Sequence, residues 1–265
     1  MWIIIGKNKL LRIVTIVFIL LIILSLIFGK VIKTDAKPKG YIVLVIDDFG
    51  NNGDGTKEML SLDIPITVAV MPFMSYSQEE AKKAHKAGFE VIMHVPMEPV
   101  HGKKEWLGPK GITCDLSLDE VKSRINEGLD ILKYAKGMNN HMGSKVTQDK
   151  RIMKAILEIA KEKNLYFVDS KTTPKSIVHN IADKLGAISF ERDIFLDNNK
   201  DIKSIEKQLL KLGNIAIKKG YAIGIGHVGP EGGTVTVKAI KNVYPTLQEQ
   251  GIKFIYPSQL EMFTK

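Results

Sequence analysis

From Tyr41 onward the chain alternates two hydrophobic patterns. Short continuous runs of aliphatic and β-branched residues recur at Tyr41–Ile46, Ile66–Val70, Glu90–Met93, Leu165–Val168, Ala187–Phe190, Tyr221–Ile225 and Lys253–Tyr256, with a weaker one near Gly137–Asn140. Such runs suit strands buried on both faces. Between them, apolar residues return every three or four positions. Asp119–Tyr134 carries Val121, Ile125, Leu129 and Leu132, and Arg151–Ala160, Ile202–Ile217 and Val235–Leu247 behave alike. That is the period of an amphipathic helix. Ser117-Leu118-Asp119-Glu120 has the form of a capping box at the start of the first. Seven or eight strands alternating with helices predict a parallel sheet with right-handed crossovers, as a barrel or a doubly wound sheet.

The N-terminal segment differs. Ile13–Phe28 are sixteen uncharged, almost wholly apolar residues, and Leu10, Leu11 and Arg12 extend the run. About 17–20 such residues cross a bilayer, and a charged residue near one end can snorkel to the interface. A helix with no polar face does not suit the surface of a soluble domain. The expectation is a transmembrane anchor over 10–28, uncleaved, although Thr34-Asp35-Ala36 offers a poor signal-peptide cleavage site. Lys7, Lys9 and Arg12 favour a short cytoplasmic N-terminus, residues 1–9. A polar linker, 29–40, then leads to one domain, 41–265, outside the cytoplasm at the cell membrane.

Charge supports this division. The chain carries a formal +9, but residues 1–40 hold seven Lys or Arg against the single acid Asp35. The rest of the chain is nearly balanced, with 31 basic and 28 acidic side chains. Basic residues flanking an apolar run suit anionic lipid headgroups, and no nucleic-acid partner is expected. The one cysteine, Cys114, excludes an internal disulfide and a multi-thiolate metal site. Any metal must be held by His, Asp, Glu or Asn.

Polar residues gather just after the strand runs. Asp47-Asp48 follows the first, His94 the third, Asn139-Asn140-His141 ends the weak one, and Asp169-Ser170, Arg192-Asp193 and His227 follow three others. In parallel α/β folds the carboxyl ends of strands are where sites are built. His85, His101 and His179 lie in polar surroundings and read as surface residues, and Ser144 reads as a loop residue. No glycine-rich turn of the dinucleotide type and no nucleophile elbow is present. The parts instead suit metal-assisted hydrolysis, in which an ion acidifies a water and polarises a carbonyl. Asp48, His94 and His141 can hold the ion, Asp47 can take a proton, and His227 can protonate a leaving amine.

Six motifs together resemble the divergent polysaccharide deacetylases, a NodB-like branch near the carbohydrate esterase family 4 deacetylases. They are Val45–Gly50, Gly88–Pro99, Asn139–Ser144, Phe167–Thr173, Arg192–Asp197 and Ile225–His227, and they span most of residues 41–263. The resemblance implies a distorted (β/α) barrel of about seven strands, here preceded by the transmembrane helix. It implies a metal-dependent N- or O-deacetylase, commonly a zinc enzyme, acting on an acetylated cell-envelope glycan. On the matching positions, Asp47 is the base, Asp48 and His94 are ligands, and His227 is the histidine of the last motif. The family's second ligand histidine falls on Glu98, so either Glu98 ligates or His141 supplies the missing imidazole; His141 is expected. The usual base-orienting arginine is absent, and Arg192 or Lys145 is expected to replace it. Asn140, Asp169 and Asp193 are further candidates for support or ligation. The rival expectation is a catalytically silent glycan-binding or envelope-assembly protein on the same fold.

Overall fold

The computed structural model describes Gly6, residues 11–12 and 14–21, and residues 37–260. The chain divides into two units, Met1–Pro38 and Lys39–Lys265. In the first, 11–12 and 14–21 are helical, with exposed side chains. Among the described residues no helix is long and apolar enough to cross a membrane. Of the expected anchor, 10–28, positions 10, 13 and 22–28 lie outside the described residues.

The second unit is built on one parallel sheet of nine strands: β1 (Gly40–Phe49), β2 (Thr67–Val70), β3 (Glu90–Met97), β4 (Ala135–Met142), β5 (Tyr166–Asp169), β6 (Ser189–Glu191), β7 (Ile194–Phe195), β8 (Tyr221–His227) and β9 (Ile252–Phe254). Eight strands follow the order β6-β5-β4-β3-β2-β1-β8-β7, and β9 pairs with β1 off this path. β9 takes Gly40–Ile42 of β1, whereas β2 takes positions from Val45 to Phe49.

The sheet curls into a half-barrel. Its seam is the run from Ser189 to Phe195, which pairs with β5 at its start and with β8 at its end. The expected count of about seven strands is therefore corrected. The sequence shows one apolar run where the structure has two short strands broken at Arg192-Asp193, and a two-residue strand leaves no periodic signal.

Alternation along the strands sorts side chains into two cores. Successive strand residues point to opposite faces. Ile42, Leu44 and Ile46 join the larger core, which includes helix residues such as Val121, Ile156 and Leu212. Val43 and Val45 join a smaller core with Ala69, Ile92, Tyr166, Val168, Ile223 and Ile225. This second set fills the inside of the curl.

The helices expected from period are present, with ends moved by a few residues: Leu118–Ile131, Lys150–Glu162, Ile202–Lys219 and Gly233–Glu249. The capping box forms, with both the Ser117 and the Glu120 side-chain bonds made. A further helix, Val178–Leu185, contains His179; its apolar stripe is too short to stand out in the sequence.

Gly137 of β4 faces the interior core without a side chain, and a Cβ there would come within 2.4 Å of the Tyr166 ring. Tyr166 is anchored, its hydroxyl donating to Glu90 at 2.7 Å. Gly137→Ala should therefore destabilise the domain by about 1–3 kcal/mol, as overpacking does. Urea unfolding should show a lower midpoint at unchanged slope; an unchanged midpoint would mean that Tyr166 is free to move.

Candidate metal centre

The inward columns of the strands extend past the apolar core and end in polar residues. Val43 and Val45 lead to Asp47, Ile92 to His94, Tyr166 and Val168 to Ser170, and Ile223 and Ile225 to His227. In β4 the same parity runs through Gly137, Asn139 and His141. These residues meet at the carboxyl ends of the strands, where a cavity of about 580 Å³ opens. Asp47 and His227 are register partners on β1 and β8.

Asp48 breaks the alternation. It should point away from Asp47, but its backbone is left-handed, with φ of 68°, and the β1–β2 register shifts between Ile46 and Phe49. The break lets both consecutive carboxylates line the cavity. A left-handed conformation outside glycine costs of order 1 kcal/mol and persists where its surroundings enforce it.

Asp48, His94 and His141 form a compact triangle of donor atoms. Asp48 Oδ1 lies 3.2 Å from His94 Nε2 and 3.1 Å from His141 Nδ1, and the two nitrogens are 3.2 Å apart. Ligands at about 2.0–2.1 Å from a tetrahedral zinc stand about 3.3 Å from one another, so the triangle matches one face of such a shell. Asp48 Oδ1 is buried and has no aligned hydrogen-bond partner.

The outer nitrogens explain why the inner ones converge. His141 Nε2 donates to the Trp106 carbonyl at 3.1 Å, and a carbonyl only accepts. That fixes the proton on Nε2 and leaves Nδ1 as a lone pair facing the triangle. His94 Nδ1 bonds Asn139 Oδ1 at 2.8 Å, while Asn139 Nδ2 donates to Asp47 Oδ1 at 2.8 Å. The amide thus presents its oxygen to His94, whose Nδ1 must donate, leaving Nε2 free to ligate. Ligand imidazoles are commonly oriented in this way. One carboxylate and two imidazoles fit zinc or a similar divalent ion.

Electrostatics separates the two carboxylates. Burial pushes the Asp47 carboxyl above its ordinary value, only partly offset by His94 and His227. Burial acts the same way on Asp48, but the nearby imidazoles of His141 and His94 outweigh it and hold that group well below the carboxylate range. Burial would lower His227; its bond to Asp197 overcomes this and lifts it to about 9. Asp197 Oδ1 takes His227 Nδ1 at 2.8 Å, and Oδ2 accepts from the His227 backbone N–H at 2.7 Å and from Thr236 Oγ1 at 2.8 Å.

The structure brings Asp47, Asp48, His94, His141, His227 and Asn140 to the cavity wall. Asn140 is spent on the loop, binding the Ser170 N–H and the Met142 carbonyl. Glu98 does not join the triangle; its carboxylate accepts from the Cys114 N–H and pairs with Lys145 at 2.7 Å. Lys145 is thereby committed to Glu98. Arg192 donates to the carbonyls of Ser170 and Lys171, so the contact expected with the base is made instead by Asn139. Asp169 binds the Lys171 N–H and Ser176. Asp193 binds Lys219 and the Ile223 N–H at the seam. Sequence reasoning missed Asn139, Asp197 and Trp106. Strand parity could have found Asn139, which shares its face with His141 where Asn140 does not.

The profile of the divergent polysaccharide deacetylase family matches residues 44–261. An uncharacterized protein of Haemophilus influenzae is 32% identical over 211 residues, covering 80% of this chain and 75% of that one. Among solved structures, an uncharacterized protein of Agrobacterium tumefaciens superposes with a TM-score of 0.77 at 21% identity, over 85% of this chain and 90% of the other. A wild-type carbohydrate esterase family 4 pseudoenzyme from Bacillus anthracis is similar in fold, with a TM-score of 0.52 at 16% identity, over 85% of this chain and 66% of the other. The chain belongs to the divergent polysaccharide deacetylase family.

Proposed function

We propose that the protein is a metal-dependent hydrolase that removes acetyl groups from an N-acetylated cell-envelope polysaccharide. One observation carries this reading. The Asp48, His94 and His141 triangle, with both outer imidazole N–H groups tied away, opens into the same cavity as Asp47 and His227. A fold alone does not decide activity, and the silent-binder reading is an outcome of the tests below.

A divalent ion held by the triangle would polarise the acetyl carbonyl and acidify a water. Asp47 is placed to take the proton of the attacking water, and burial tunes it toward a stronger base than an ordinary carboxylate. Asn139 fixes that carboxylate in orientation at 2.8 Å. His227, kept protonated at neutral pH by Asp197, is the donor to the departing nitrogen. The apolar run at 10–28 would hold this domain at the outer face of a cell membrane, as a single-pass protein with a cytoplasmic N-terminus.

Three outcomes test this. Asp47→Asn and His227→Ala should keep the metal and lower kcat by about 10²–10⁴-fold, the usual range for a general base or acid. Asp48→Ala should lose the metal itself, read by metal analysis of the same preparations. Wild-type protein with bound metal and no turnover of any acetylated glycan would leave the binding reading standing. The second concerns pH. His227 acts in its protonated form, so, separate from the acid limb on which Asp47 loses its charge, kcat/KM should fall on the alkaline side as pH rises through about 9. Asp197→Asn removes the partner that lifts the imidazole, so this limb should move toward the ordinary value of about 6.5; an unmoved limb would remove His227 from the acid role. The third concerns the anchor. The full chain should sediment with membranes and resist high-salt extraction; recovery in the soluble fraction with an N-terminus at Lys37 would show cleavage after Ala36.

A further inference from the structure

Trp106 sits in the segment between β3 and the helix Leu118–Ile131, in the short 3₁₀ turn Lys104–Leu107. Its indole is 59% exposed, yet it lines the cavity that holds the triangle. Its main chain acts separately, because the Trp106 carbonyl accepts from His141 Nε2. One residue therefore offers a flat apolar face to whatever enters the cavity and orients a candidate ligand imidazole.

The segment is tied at its feet and shaped beneath the ring. Glu98 N–H donates to the Ile112 carbonyl at 2.8 Å, and Ile112 N–H to the Pro96 carbonyl at 2.7 Å. The Glu98 carboxylate holds Cys114 N–H and Lys145. Ser144 accepts from the Val100 N–H at 2.9 Å. Gly102, with φ of 149°, lies behind the indole; a Cβ there would meet Pro99 Cγ at 2.9 Å and Met142 Cε at 3.1 Å, with Trp106 Cε3 at 3.6 Å. Leu107 is buried, so the turn is fastened next to the exposed ring.

We infer that the Trp106 indole is a stacking platform for a pyranose ring of the substrate, and that stacking there tightens the His141 side of the metal centre through the Trp106 carbonyl. This rests on the deacetylase reading above. The axial C–H groups of a sugar present an apolar face that packs on an indole, while its hydroxyls stay in water, and aromatic side chains with one wet side suit such contacts. A sugar that immobilises the indole also immobilises the carbonyl of the same residue. Stabilising the acceptor of a ligand histidine raises metal affinity, since such partners are worth about 10–100-fold. Coupling of two binding events is reciprocal, so metal must strengthen sugar binding by the same factor.

The chain has two tryptophans, Trp2 and Trp106, so Trp2→Phe leaves Trp106 as the reporter. In this full-length background, a tetramer of N-acetylglucosamine should shift or quench Trp106 emission. Zinc affinity, measured by chelator competition, should tighten at least about fivefold at saturating tetramer, the low end of typical coupling. Trp106→Ala should raise KM for the tetramer about tenfold and abolish the zinc coupling even at saturation, while Trp106→Phe keeps part of both. If Trp106→Ala leaves KM and the coupling unchanged, the inference falls and the deacetylase reading stands. If Trp106 responds and the coupling is present but wild type never releases acetate, the platform stands and the deacetylase reading falls.

Discussion

Everything at the site depends on the unbroken parallel ladder of β1 with β8. With both faces of β1 buried, a slip of one residue would exchange the two cores and turn Asp47 into the helix layer. Register is thus specified by apolar packing many residues away from the chemistry. Val43 and Val45 must face Ile223 and Ile225 inside the curl, and Asp47 then arrives beside His227 with no further instruction. The polar residues are the last rungs of columns whose lower rungs are aliphatic.

On that frame the site is organised by donors with nowhere else to go. Asn139 is buried between Asp47 and His94, and its two ends can be satisfied in one orientation only. That single amide orients Asp47 and His94 at once. Asp197 does the same for His227, with a backbone N–H and Thr236 fixing the second oxygen. Removing either group would leave a buried polar partner unmatched, which costs more than a hydrogen bond contributes. The contacts behind the triangle, Asp47 and His227 are therefore as constrained as the residues they hold.

Much of this was legible in the sequence, for a physical reason. Parallel strands buried on both faces read as aliphatic runs, so a polar residue directly after one stands out as a strand end. That signal marked Asp47, Asp48, His94 and His227, and with the weak run His141, all of which line one cavity; it also marked Asp169, Arg192 and Asp193, whose bonds lie elsewhere. It was weaker where the apolar run was short. β7 has two residues, and Asp197, two positions beyond it, stood out only as part of a motif. In Asn139-Asn140-His141, adjacency in the chain points to Asn140, whereas the strand period puts Asn139 with His141. Glu98 fell on a ligand position by alignment, but the chain there bends into the segment bearing Trp106, and its carboxylate is consumed fastening that segment. Distances between segments far apart in sequence carry no local pattern, so nothing in the sequence showed that Arg192 and Lys145 turn to other partners.

The left-handed backbone of Asp48 has a consequence for the domain's history and its engineering. The position combines a buried, unmatched carboxylate oxygen with a conformation that glycine adopts freely. The backbone cost vanishes on replacement by glycine, which would also take the carboxylate out of the triangle. Selection on backbone relaxation alone would therefore favour glycine here. A glycine at this position would relax the backbone and leave the two inner imidazole nitrogens facing each other with no carboxylate between them.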